Sequence, residues 1–585
     1  MRNISLLSGI RNRIRGIADN IRKHDELLIF SMATLIEIIF ALLLISKYGS
    51  LYFSIDTVGH AYNTRNVVDN GMYSGLSALV GTWLPLSEIL KIPFIMISAF
   101  YATGFSGTIV NAFMTGGICV FLYKSIQVEN KKLAVLVPVI FLSNIYTLFY
   151  GAIPLTEQTA AFFLIAAFYF FKNYWNSGEV KDYIKCSVLL ILGSLTRYEI
   201  WIVTIFVVAV FFINEVLKNK KIHRIGYAHL PLWGIIIWLF SNYLIHRDAF
   251  WFDKNVFSNA SIDAALFLYF KGNIYLTLKH AFLMIDATYG IVLYLAAISI
   301  AFIVISRKIR NIIPLTVFFI PSLVNIVLMY EGLSAGWERY FYSAMPGMVI
   351  LTVTLLDSVI SILKQKTSEA HNIYLTKFNR SAVYSILILI IASAWIFGIA
   401  SALVPAHPPE INSYQTSWRP WLFQGLDISN ERFLVEIQNE GKVVFRTSGD
   451  MDLEFINRSY SDYSELKKNI GTDPVLMPPP MRMLDIRADT FSVSQGISPS
   501  QIIDPFDDRD YIKSMKDPWN NTRFVVIPPV NDDYANSFNK WYDGKFYIYN
   551  YYYNQTWRSE FLVHYELVLD NGNFKLFKLQ DRVKK

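Results

Sequence analysis

The chain has 585 residues, of which 53% are hydrophobic, 16% aromatic and only 17% charged, and its mean hydropathy is +0.34. That is too apolar for a soluble protein of this size, and the apolar residues are gathered into runs, so the sequence is that of a polytopic membrane protein. The net charge of +7 does not point to nucleic acid, because the basic residues sit in short clusters between apolar runs; Cys119 and Cys186 both lie inside such runs and offer no disulfide or Cys-rich metal framework.

Residues 1–26 form a basic N-terminal segment with Arg2, Arg11, Arg13, Arg15, Arg22 and Lys23. The run 27–48 behind it is long enough to span and has no small-residue cleavage site after it, which predicts an uncleaved signal anchor with a cytoplasmic N-terminus. Glu37, in mid-run, is expected to face other helices, since a carboxyl in hydrocarbon is costly. Further runs follow at 103–123, 133–149, 156–171, 185–195, 201–216, 228–245, 281–306, 312–330, 340–363 and 382–404. The basic clusters at Lys124–Lys132, Lys172–Lys181, Lys218–Arg224, Arg307–Arg310 and Lys364–Arg380 all fall inside if these runs alternate, giving about eleven spans and an external C-terminus. This membrane domain covers 27–404. Its first external loop, 49–103, contains an interfacial helix at 89–100.

That topology places the unusual polar residues on one side, outside the membrane. They are Asp56, His60 and Arg65 in the first loop, Glu157 at the start of one run, Arg197 and Glu199 ahead of another, and Glu331, Glu338 and Arg339 ahead of a late one. Singly, each reads as a snorkelling residue or a structural ion pair. As a set, carboxylates and arginines between hydrophobic hairpins are expensive unless they share a hydrated cavity, which predicts one site at the outer leaflet.

Beyond Val404 the chain turns polar. Turn clusters such as Met477-Pro478-Pro479-Pro480 separate strand-like stretches at 442–446, 523–527 and 545–553, and 561–578 reads as two strands joined by Asp570-Asn571-Gly572. Residues 405–585 are expected to form a mixed α/β soluble domain on the extracytoplasmic side.

Several short motifs resemble the GT-C class of integral-membrane glycosyltransferases, the broad group that includes protein O-mannosyltransferases and lipid A aminoarabinose transferases. These are Asp56 followed by Thr82-Trp83-Leu84-Pro85-Leu86, then Thr156-Glu157, then Leu195-Thr196-Arg197-Tyr198-Glu199-Ile200-Trp201, and finally Arg339-Tyr340 with Pro346. The resemblance covers about 27–363 and departs from the O-mannosyltransferase pattern where Thr57, not a second acid, follows Asp56. It implies a GT-C-like fold and a sugar donor linked to polyprenyl phosphate.

The residues suit that chemistry. A phosphate leaving group needs fixed positive charge, which Arg339, Arg197 and Arg65 could supply with planar donors. An acceptor hydroxyl needs a base as it attacks the anomeric carbon; Asp56 is the candidate, by direct displacement with inversion. Glu157, Glu199, His60, Tyr340 and Glu338 would orient sugar hydroxyls or hold the arginines. Asp56 and His60, four residues apart, could share a helix face and a divalent metal, but two ligands are too few to imply one, and no cofactor is firmly implied. The expected partners are the polyprenyl-phosphate sugar, a lipid, glycan or protein acceptor and the bilayer, with no nucleic acid. The competing reading is a transporter or flippase for lipid-linked sugars, which usually shows internal repeats and interrupted midplane helices; the sequence has neither.

Overall fold

The structure, a computed structural model, describes residues 25–369 and 462–580. Within these it leaves out 47–48, 54, 70–78, 127–130, 219, 255–269, 307–311, 335, 337, 463, 472, 478–487, 496–497, 504–513, 517, 530–535, 537–538, 541–543 and 573. The expected run 382–404 and strand 442–446 lie outside the described residues. Among those described, six helices are long and apolar enough to cross a membrane, or up to eight if each of two bent pairs counts as one span.

The first is α1 (Asp25–Ser46), whose outward residues Leu28, Met32, Leu35, Ile39 and Leu42 are exposed apolar side chains. Such a face is at home only in lipid. Its inner face buries Glu37, which accepts a hydrogen bond from Thr115 Oγ1 at 3.3 Å. Ile55–Asp69 (α2) and Leu86–Ile95 (α3) follow in the loop, then α4 (Phe105–Ser125).

The helix pair α5 (Ile145–Ala152) and α6 (Glu157–Ser177) is bent by 113° at Ile153–Thr156. Pro154 explains the break, because it cannot donate to the preceding turn and clashes with a helical continuation. The break leaves Glu157 in the first turn of a new helix, where a carboxylate also meets the positive end of the helix dipole. Next come α7 (Val180–Ser194) and α8 (Glu199–Ile213), a hairpin whose tight turn holds Arg197 and which starts α8 on Glu199. The remaining membrane helices are α9 (Trp233–His246), α10 (Ile274–Tyr289), α11 (Ile291–Ile305), α12 (Thr316–Tyr330) and α13 (Met345–Glu369). A short 3₁₀ turn, Glu338–Tyr340, precedes α13.

The C-terminal domain holds a five-stranded mixed sheet with strand order β2-β1-β3-β5-β4. The strands are β1 (Val475–Leu476), β2 (Ile502–Ile503), β3 (Phe524–Ile527), β4 (Tyr565–Asp570) and β5 (Lys575–Leu579). Along β3, Phe524 and Val526 face one apolar cluster while Val525 and Ile527 face another, so the central strand is covered on both sides. The expected hairpin is present as antiparallel β4 and β5 around Asn571-Gly572, but its first strand begins only at Tyr565, because residues 561–564 end a helix, Gln555–His564, that packs Phe561 into the core. Residues 545–553 are corrected: they hold the helix α15 (Tyr547–Tyr553), which follows α14 (Ala488–Gln495), and not a strand. The aromatic content there favours a strand locally, but Tyr547, Ile548 and Tyr551 are spaced to bury one helical face on the sheet, and packing overrides propensity.

Candidate active site

Each of the acids at issue sits at a helix start. Asp56 is in the first turn of α2, Glu157 in that of α6, and Glu199 in that of α8. The two arginines lie in the turns just ahead of helices, Arg197 before α8 and Arg339 before α13. The bundle brings these four helix starts, and the five charged residues on them, together.

Arg339 Nη1 is 2.5 Å from Asp56 Oδ2, with the two side chains 16% and 22% exposed. Arg197 reaches Glu157 Oε1 through Nη1 and Glu199 Oε1 through Nη2, each at 2.6 Å. Tyr340 lies between the two cations: its ring centroid is 5.3 Å from the Arg339 guanidinium carbon and 5.9 Å from that of Arg197. Burial alone would weaken both guanidinium charges, but Asp56, Tyr340 and Glu157 around Arg339, and Glu199 and Glu157 around Arg197, more than offset it. Both stay firmly protonated.

Glu157, Arg197, Glu199, Arg339, Tyr340, Tyr342 and Ser343 line one cavity with Ala160, Ala161, Leu164, Ile200 and Pro321. It offers about 20 Å³ to water centres, room for about one water. Its lining combines the charged side chains of Glu157, Arg197, Glu199 and Arg339 with apolar ones. Glu157 is only 2% exposed, and its Oε2 has no hydrogen-bond partner among the described residues. A buried carboxylate oxygen left open beside a cavity is costly unless something fills it.

A second polar cluster, which the sequence did not reveal, lies behind this one. His60 Nδ1 pairs with Glu88 Oε1, and the His60 ring packs on Trp83 with centroids 4.3 Å apart. Gly59 is required there, because a Cβ would come within 2.6 Å of the Trp83 ring. Lys91, fully buried, donates to the Pro154 carbonyl at 3.1 Å and sits within electrostatic reach of both Glu88 and Glu157. Burial lowers its ammonium and the two acids partly restore it. Glu88 and Lys91 share the inward face of α3, while Ile89, Met96 and Ile97 point outward. The clue was the polar pair three residues apart in an otherwise apolar segment, an amphipathic helix turned polar side in.

Of the expected site residues, Asp56, Arg339, Glu157, Arg197, Glu199 and Tyr340 converge. His60 belongs to the second cluster. Arg65 is engaged elsewhere, with Asp69 at 2.9 Å and the Ile95 carbonyl at 3.0 Å. Glu331 is exposed, and the side chain of Glu338 lies outside the described residues. Among the described residues, no group of three or more His, Cys, Asp or Glu side chains is placed to hold a metal ion.

Fold and site together define a multi-pass helical membrane protein with a charged cavity at one end of its bundle. No family model and no curated protein matches the sequence. Solved structures similar to it include ArnT from Cupriavidus metallidurans bound to undecaprenyl phosphate, at 12% identity and a TM-score of 0.45 over 92% of this chain and 97% of that one. Another is the archaeal oligosaccharyltransferase AglB from Archaeoglobus fulgidus in complex with an inhibitory peptide and a dolichol-phosphate, at 12% identity and 0.44 over 86% and 69%.

Proposed function

We propose that this chain is a membrane glycosyltransferase that moves a sugar from a polyprenyl-phosphate donor to an acceptor hydroxyl on a lipid, glycan or protein. The observation that carries this reading is the pairing of Asp56 with Arg339, which lines a cavity together with Arg197, Glu157 and Glu199. One acid and one arginine at the same spot are the two groups the reaction needs, and the apolar helices beside them suit a polyprenyl tail.

In the reaction, the acceptor oxygen forms a bond to the anomeric carbon while the bond from that carbon to the phosphate oxygen breaks. The acceptor proton passes to Asp56, and polyprenyl phosphate leaves with its added negative charge stabilised by Arg339. A single displacement inverts the anomeric centre. In the resting site Asp56 and Arg339 are bound to each other, so each is masked. A donor phosphate competes for Arg339, and by drawing it away frees Asp56 to act as a base. Arg197 is held by two carboxylates and is less easily drawn off; with Glu157 Oε2 open, this corner suits sugar hydroxyls. The basic clusters between the apolar runs support an extracytoplasmic site, with the N-terminus in the cytoplasm and the C-terminal domain outside.

Arg339→Ala tests the assignment. Loss of a charge-assisted contact of about 1.5–3 kcal/mol predicts roughly 10- to 150-fold weaker binding of undecaprenyl phosphate in nanodiscs, with turnover falling as well. Unchanged binding by a folded Arg339→Ala protein would remove Arg339 from the phosphate site.

A further inference from the structure

The reaction as derived uses nothing from the C-terminal domain, yet that domain is built onto the helix that carries Asp56. Positions 58, 62, 65 and 69 of α2 form one helical stripe, and Asp56 and His60, one turn apart, form another. The second stripe meets the membrane domain through Arg339, Glu88 and Trp83. The first meets the C-terminal domain through Tyr62, Val58 and Asp69, while Arg65 reaches the Ile95 carbonyl. Tyr62 is 1% exposed and lies in the apolar cluster of Val475, Phe491, Phe524, Val526 and Leu576, so a side chain of α2 is part of that domain's own core. Val58 packs in a cluster with Val493. Ser498 Oγ donates to Asp69 Oδ2 at 2.6 Å at the far end of the helix. Alongside, Tyr101 and Ser492 hydroxyls are 2.7 Å apart, joining the loop that carries α2 to α14.

A helix fixed on two faces has little freedom to rotate or slide, and a base that must reach a hydroxyl within hydrogen-bond distance gains from that constraint. We propose that the C-terminal domain is the positioning element for Asp56, and that Tyr62 is the positioning residue through which it acts. The domain's sheet and α14 form a rigid block, Tyr62 is keyed into it, and the rotation of α2 about its own axis is thereby set. The part of this inference that concerns turnover rests on the transferase reading; the part that concerns the order of α2 does not.

The test uses the full chain in nanodiscs, with Tyr62→Ala and Tyr62→Phe compared with the unmodified protein. Hydrogen exchange over Ile55–Asp69 is read alongside turnover of polyprenyl-phosphate sugars and binding of undecaprenyl phosphate. Tyr62→Ala is expected to speed exchange in α2 and to lower kcat roughly 10- to 100-fold, while undecaprenyl phosphate affinity stays within about threefold. Tyr62→Phe keeps the ring in the cluster and should hold both readouts near those of the unmodified chain. If Tyr62→Ala does not fold, Ser492→Ala with Ser498→Ala removes two contacts across the boundary and leaves both cores intact; faster α2 exchange then supports the proposal and unchanged exchange overturns it. A folded Tyr62→Ala protein with unaltered α2 exchange and kcat also overturns it. If the unmodified protein transfers no sugar, the transferase reading falls, and the exchange arm still decides whether the domain holds α2.

Discussion

Asp56→Asn separates a catalytic acid from a structural one, because it should push binding and turnover in opposite directions. Asp56 Oδ2 lies 2.5 Å from Arg339 Nη1, and both side chains are mostly buried. The amide keeps the size and can still accept a hydrogen bond from Arg339, but it carries no charge and cannot take the acceptor proton. The Arg339–Asn contact keeps one charge where the ion pair has two, so it falls at the low end and the ion pair at the high end of the roughly 1.5–3 kcal/mol that hydrogen bonds to charged groups are worth, leaving the donor phosphate about 1–1.5 kcal/mol less to displace. That corresponds to roughly five- to twelvefold tighter binding of undecaprenyl phosphate. Turnover should fall roughly 100- to 10,000-fold, or about 2.7–5.5 kcal/mol of barrier. The assay is native mass spectrometry for lipid-phosphate binding beside a transfer assay, on protein shown to be folded by its melting temperature. Unchanged turnover, or weaker lipid-phosphate binding, in folded Asp56→Asn would refute the reasoning.

Two other predictions concern the framework around the site. Gly151→Ala should destabilise the protein by about 1–3 kcal/mol, because its Cβ would land in the Glu37 carboxyl group; thermal unfolding should show the loss, and Glu37→Ala, which vacates that space, should partly rescue it. Acid should loosen the second cluster: burial alone would raise the Glu88 carboxyl, but the His60 and Lys91 charges hold it below its usual 4.5. A depressed carboxylate contributes stability that is fully present above about pH 4.5 and lost as pH falls through the lower folded value, so melting temperature should drop below that point, and Glu88→Gln should flatten the drop.

The residues of the site were legible because each stands at the end of an apolar run, where the alternation of basic loops assigns a side. Asp56, Glu157, Arg197, Glu199 and Arg339 could thus be grouped without knowing how the helices pack. Their pairing could not, since which arginine meets which acid depends on helix rotation. Lys91 escapes because 89–100 reads as one interfacial helix, whose polar side would face water, and Glu88 falls just ahead of it; the structure instead has α3 at Leu86–Ile95 with both residues facing the protein, and a separate short helix at Ser98–Thr103. Tyr62 escaped because its partners lie more than 400 residues away in the chain. Among the described residues, two of the expected runs do not form a single helix long enough to span, each for a physical reason. The run 185–195 belongs to α7, Val180–Ser194, whose 15 residues extend about 22 Å, short of an apolar core of about 30 Å. The run 133–149 is broken at Ser143-Asn144, where the Asn144 side chain caps the next helix.

The central claim is that sugar leaves a polyprenyl phosphate at the Asp56–Arg339 site, and product analysis in sided proteoliposomes tests it most directly. A cysteine placed at the exposed Ser500 and reacted with an impermeant label marks the face carrying the C-terminal domain. A panel of polyprenyl-phosphate sugars is supplied in the bilayer, with acceptors on that face only. The account predicts free polyprenyl phosphate, a glycosylated acceptor with the opposite anomeric configuration to the donor, and loss of both products in Arg339→Ala. Movement of intact lipid-linked sugar between leaflets with no cleavage, or a product that retains the donor's configuration, would contradict it.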